Sequence, residues 1–161
     1  MSTADAPLPQ APAVTGPAPH LLVVRAPYYV QVIDGMSWGA LRILEQAGAT
    51  HEVLDVAGSF ELPQAIRMAA RGTTLFDGFV ALGCIVRGGT DHYDYICRET
   101  MAGLMNVALA HGIALGSGLL TVHSIEQAVA RSGQDGFNKG AEAAVAALLQ
   151  INAARRFGIA S

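Results

Sequence analysis

The stretch FVALGCIVRGGTDHYDY, residues 79–95, decides how this chain folds. Phe79 to Val86 is an almost unbroken apolar run, the composition of a parallel strand covered on both faces. Beyond it Ile96, Met101, Leu104, Met105 and Ala108 recur at helical spacing, so a helix is predicted over His92–His111 with Gly112 as its stop. A Gly88-Gly89 turn therefore joins the carboxyl end of a buried strand to the amino end of a helix. Open α/β sheets bind ligands at that place. Freed backbone amides and the helix dipole favour an anion there, and paired glycines let it approach closely. His92 stands at the helix entrance, where a neutral imidazole beside an anion pocket is a candidate proton shuttle. Taken locally, an ordinary turn with a solvated histidine reads equally well.

Outward from that stretch, strands and helices alternate. Leu21–Val24 is the first predicted strand, followed by a helix over Val30–Ala47 with Val32, Ile33, Met36, Ala40 and Ile43 on one face. Glu52–Val56 is the second strand. Gly58-Ser59-Phe60-Glu61 then turns into a helix whose early Pro63 is tolerated, because first-turn amides lack partners within the helix. Leu115–Val122 is the fourth strand, its outer part weakened by Gly116 and Gly118. Ser124 and Gln127 have capping-box spacing for a short helix. Asn138 can cap a last helix with Ala141, Ala144, Val145, Leu148 and Leu149 as its buried stripe. Four such alternations predict a parallel sheet with right-handed crossovers and helices on both faces, the flavodoxin-like α/β arrangement.

The 161 residues make one domain, 20–161, preceded by an Ala/Pro-rich segment, 1–19, that holds five of the seven prolines and reads as a flexible tail. That segment lacks the basic start and apolar core of a signal peptide. The chain is 52% hydrophobic and only 14% charged, well below the ~25% charged residues of an average globular chain. Part of such a surface is expected to be buried against copies of itself. A net charge of −3 without a basic cluster argues against nucleic acid. No apolar run approaches the ~20 residues of a membrane span. Cys84 and Cys97 read as small buried hydrophobes of a reducing compartment and lack metal-ligand spacing.

The block Gly83–Tyr95 resembles the signature of the 6,7-dimethyl-8-ribityllumazine synthases, which act in riboflavin synthesis. Two more blocks match in the same order: Gly58-Ser59-Phe60-Glu61-Leu62-Pro63, and Glu126-Gln127-Ala128 through Arg131 to Asn138-Lys139-Gly140. The resemblance spans about residues 20 to 158. It implies a three-layer α/β/α sandwich with a four-stranded parallel sheet. It also implies a cytoplasmic transferase without cofactor or metal that condenses a ribitylamino-pyrimidine with a butanone phosphate. By resemblance, Tyr28, Ser59, Phe60, Glu61, Cys84, Ile85, Val86 and Ser117 lie against the pyrimidine and its ribityl chain. Gly89, Thr90, Arg131 and Lys139 hold phosphate, Glu142 supports Lys139, and His92 is catalytic. The family further implies pentamers or multiples of pentamers with active sites between subunits, and riboflavin synthase as a partner. The alternative is a non-catalytic flavin-binding or scaffold relative of the same fold.

Several of these residues also have plain structural readings. Glu61 complements a helix dipole by about 0.3–1 kcal/mol, and Arg131 does the same at a helix end. Lys139 has no such excuse, since a cation at a helix start meets the unfavourable end of the dipole. The chain departs from the family at Pro27-Tyr28-Tyr29, which stands for Arg-Phe-Asn, at Ser117 for an aromatic, at Ala130 for a glutamate and at Phe137 for a glycine.

Overall fold

The computed structural model describes residues 8–134 and 137–159. Four strands, β1 (His20–Arg25), β2 (Thr50–Asp55), β3 (Gly78–Val86) and β4 (Ala114–Val122), form one parallel sheet in the order β2-β1-β3-β4. The helices are α1 (Val30–Gln46), α2 (Leu62–Ala69), α3 (His92–His111), α4 (Ile125–Val129) and α5 (Lys139–Arg156). A 3-10 turn, Ser59–Glu61, leads into α2.

Alternation along the strands sorts the core into two halves. Leu21, Val23, Val80, Leu82, Leu120 and Val122 face α1 and α5, whose Ile33, Met36, Ile43, Leu148 and Ile151 complete that cluster. Leu22, Val24, Phe79 and Ala81 face the other way, onto Leu62 and Ile66 of α2 and Leu104 and Val107 of α3. The result is the expected three-layer α/β/α sandwich. β3 is buried along nearly its whole length, as its apolar run predicts. β2 is an edge strand with every residue exposed.

Local signals account for most boundaries. Gly48 and Gly112 follow α1 and α3 with φ of +70° and +61°, left-handed turns that glycine adopts at no steric cost. Pro63 sits in the first turn of α2. Asn138 caps α5, its side-chain oxygen accepting from the Gly140 and Ala141 amides at 2.9 and 3.1 Å.

Other expectations need correcting. Ser124 makes no side-chain cap; instead Gln127 reaches back to accept from the His123 amide at 2.9 Å. In α5 Leu149 is 52% exposed, and Ala147 and Ile151 take the buried places. In α3 the buried residues are Tyr93, Thr100, Leu104 and Val107, while Met101 and Met105 are 49% and 60% exposed. Gly116 does not weaken β4, which is continuous. A Cβ there would lie 1.8 Å from the Ala143 carbonyl oxygen, so glycine is what lets α5 lie directly on the strand.

The proline-rich segment is fastened where it meets the domain. Thr15 donates from its amide to Asn152 of α5 at 3.0 Å, and Asn152 donates to the Ala13 carbonyl at 2.9 Å. Arg155 donates to the Pro17 carbonyl at 2.8 Å. Residues 1–7 lie outside the described residues.

Candidate active site

The strand order reverses between β1 and β3: β1 runs into α1 on one face of the sheet, and β3 into α3 on the other. Loops leaving in opposite directions open a crevice at the carboxyl ends of the two strands. A cavity of about 540 Å³ occupies it. Tyr28 and Tyr29 line it from the end of β1, Ala57 to Glu61 from the loop after β2, and Cys84, Ile85 and Val86 from β3. His92 and Ile96 supply its wall from α3.

Its mouth carries two exposed aromatic rings, Tyr28 at 76% and Phe60 at 48% exposure. Tyr28 packs edge-on against Tyr29, ring centres 5.1 Å apart. Such a mouth suits a flat heterocycle, since aromatic faces stack. Glu61 supplies the acceptor oxygens that hydroxyl groups need. The floor is apolar. Burial pushes the Cys84 thiol up to about 11 from an ordinary 9. At pH 8 it should therefore hold about a hundredfold less thiolate than an ordinary thiol and resist alkylation in the folded protein. Iodoacetamide labelling of folded and urea-unfolded chain checks this, and rapid folded-state modification at Cys84 would contradict it.

Gly88 and Gly89 do not adopt positive φ. Their role is openness, because no atom beyond the adjoining residues lies within 4 Å of where a Cβ would stand on either. Asp91 occupies the cap position of α3 without a side-chain cap bond; its carbonyl accepts from the Asp94 amide at 3.1 Å, so the donors a ligand could take are those of His92 and Tyr93. Gly89 and Thr90 are exposed on this loop and line neither of the two cavities described here.

Arg131 and Lys139 are elsewhere. With Ser117 to Val122 of β4 they line a second, smaller cavity of about 210 Å³. Arg131 donates to the Gln127 carbonyl at 2.8 Å, the helix-end role open to it from sequence. Lys139 pairs with Glu142 at 2.6 Å, as the three-residue spacing predicts. Asn138 holds the two cations together. Only 2% exposed, it donates to the carbonyls of Gly35, Gly133 and Ser132 at 2.8, 2.9 and 3.2 Å. The Lys139 amide in turn donates to the Arg131 carbonyl at 2.9 Å.

Within one chain, then, the predicted residues other than Gly89, Thr90 and Glu142 fall into two groups. Tyr28, Ser59, Phe60, Glu61, Cys84, Ile85, Val86 and His92 meet in the larger cavity. Ser117, Arg131 and Lys139 meet in the smaller. Sequence reasoning missed Tyr29, Ala57, Gly58 and Ile96 as lining residues. Tyr29 and Gly58 adjoin positions it did select, but nothing marked their direction.

Residues 18–155 match the family profile described as 6,7-dimethyl-8-ribityllumazine synthase. A protein of that name from Agrobacterium fabrum (strain C58) is 43% identical over 144 residues, covering 87% of this chain and 97% of its own. One from Bartonella tribocorum is 40% identical over 140 residues, 87% and 93% of the two chains. One from Paramagnetospirillum magneticum is 40% identical over 147 residues, 88% and 98%. With a family profile over most of its length and relatives at 40–43% identity, the chain belongs to the 6,7-dimethyl-8-ribityllumazine synthase family.

Proposed function

We propose that the chain condenses 5-amino-6-ribitylamino-uracil with 3,4-dihydroxy-2-butanone 4-phosphate, giving 6,7-dimethyl-8-ribityllumazine, inorganic phosphate and two molecules of water. The observation that carries this reading is the convergence of eight family-matched positions from three strand ends on one crevice. An amine must attack a ketone, phosphate must leave, and a second imine must close the ring. Proximity and orientation supply most of the rate for such a sequence. Tyr28 and Phe60 flank the pyrimidine ring, and Ser59 and Glu61 take the ribityl hydroxyls. The open amides at Gly89 and Thr90, with Arg131 and Lys139, hold phosphate first as anion and then as leaving group.

His92 moves protons between the amine, the carbonyl oxygen and the departing phosphate. Loss of one acid–base group costs about 10²–10⁴-fold in general. Here His92→Ala should fall at or below the lower end while pyrimidine binding stays intact. Turnover unchanged at every pH would remove that role. The reaction itself is tested by incubating the purified chain with both substrates and measuring lumazine absorbance and released phosphate. Equal yields, absent when either substrate is omitted, are expected. Pyrimidine or flavin binding without product would instead favour the binding-module alternative.

Self-association belongs to the same reading. The two groups of site residues line separate cavities in one chain, so a neighbour must complete the site. Met101, Met105 and Leu109 expose an apolar stripe along α3, at 49%, 60% and 74%, of the kind that self-association covers. We place the assembly at pentamers or paired pentamers in the cytoplasm, consistent with two free cysteines. Larger shells in the family use a tight turn with glycine before the asparagine. Phe137 takes that place here, and a side chain resists positive φ. Light scattering should give a mass near five or ten chains. A mass near sixty chains would refute the steric argument, and a monomer would refute the shared site. Co-elution with a riboflavin synthase is the corresponding test of that partner.

A further inference from the structure

Arg87 closes a ring of side chains around the loop that carries His92. It follows β3 directly, and its guanidinium grips Asp94 in the first turn of α3 with both terminal amino groups. Nη1 donates to Oδ2 at 3.3 Å, and Nη2 donates to Oδ1. The guanidinium carbon lies 4.3 Å from the centre of the Tyr93 ring. Tyr93 is itself buried, its ring centre 6.1 Å from that of His123. The Arg87 amide donates to the Val122 carbonyl at 2.9 Å, which ties the same residue to the end of β4. Gly88, Gly89, Thr90, Asp91 and His92 are thus strung between two fastened points.

This clasp takes the place of a helix cap. A cap normally fixes a helix start by accepting from its first-turn amides. The Asp91 side chain does not, although its carbonyl accepts from the Asp94 amide at 3.1 Å, and a side-chain cap there would compete for the remaining first-turn donors. Arg87 and Asp94 fix the turn from outside without engaging the His92 and Tyr93 amides. An ion pair with side chains 39% and 51% exposed adds little to global stability. Its consequence is local geometry. The charge of Arg87 is already matched by Asp94 and its face is covered by Tyr93, which is a poor arrangement for a phosphate ligand.

We propose that Arg87, together with Asp94, is a positioning residue that sets the strand-to-helix loop and the placement of His92, and that it does not bind phosphate itself. The proposal rests on the condensation reading above. Arg87→Lys, Asp94→Asn and the double variant, each as the full-length assembled enzyme, test it by steady-state kinetics and by hydrogen exchange over residues 88–95.

Each single variant should lose about tenfold in kcat, since a displaced catalytic group is costly. Both KM values should stay within about twofold. The double variant should be no worse than either single, because the two residues act as a unit. Exchange over residues 88–95 should quicken several-fold. A ligand role predicts otherwise: Asp94→Asn would free the guanidinium and lower KM for the butanone phosphate, and Arg87→Lys would raise that KM alone. Either result overturns the proposal, as do unchanged kcat, additive losses, or unchanged exchange in both single variants. Should the wild-type protein form no lumazine, the condensation reading fails on that result, and exchange still decides the clasp by itself.

Discussion

Asn138→Ala lowers the stability of the protein by about 3 kcal/mol or more, because it strands several buried backbone groups at once. The asparagine accepts from the Gly140 and Ala141 amides and donates to the Gly35, Ser132 and Gly133 carbonyls. At 2% exposure water does not replace these bonds without opening the structure. A chain of this size should lose about 10 °C in melting temperature. Asn138→Ser, which keeps a capping oxygen, should recover part of the loss. Thermal unfolding of the three proteins checks the order, and a loss below about 1 kcal/mol for the alanine variant would show that the network is already satisfied by other groups.

Arg131→Ala raises KM for the butanone phosphate about 10- to 100-fold, the equivalent of one lost charge-assisted hydrogen bond of about 1.5–3 kcal/mol. KM for the pyrimidine should change little, and inorganic phosphate should compete less well. Lys139→Ala should act in the same direction, with the added effect of leaving Glu142, its 2.6 Å partner, without its cation. Two-substrate kinetics separates the outcomes. If both KM values rose equally, Arg131 would be serving the fold through its bond to the Gln127 carbonyl.

The layered sheet was legible because β3 is apolar on both faces and each helix announces its start or stop chemically. Gly112 and Asn138 are the clearest cases, one ending α3 in a left-handed turn and the other capping α5. What periodicity could not say is which apolar stripe meets the chain's own core. Helix α3 carries two of them. Leu104 and Val107 pack on the sheet, whereas Met101, Met105 and Leu109 point away. Both satisfy the same spacing, and only tertiary placement separates them. Gly116 shows the converse limit: a glycine weakens a strand in isolation, yet here it permits backbone contact with α5.

In the site, residues at strand ends were legible because topology brings those ends to one edge. Tyr28, Glu61 and His92 meet there although they stand far apart in the chain. The clasp formed by Arg87 and Asp94 was hidden, since the pair spans a strand-to-helix turn, where neither the helical nor the strand period applies. The separation of Arg131 and Lys139 from the crevice is likewise a fact of three dimensions. It follows from both cations lining a cavity along β4, whereas the crevice opens between β1 and β3.

On the proposed reading these two half-sites, separate in one chain, complete each other between copies. Mixing two inactive proteins tests it most directly: one carrying His92→Ala with Glu61→Ala, the other Arg131→Ala with Lys139→Ala. After dissociation and joint reassembly, about a quarter of the interfaces should pair an intact crevice with an intact cation group. Lumazine formation should then return towards a quarter of the wild-type rate, although neither parent supports it. Mixed assemblies confirmed by native mass spectrometry that form no lumazine would contradict the shared site.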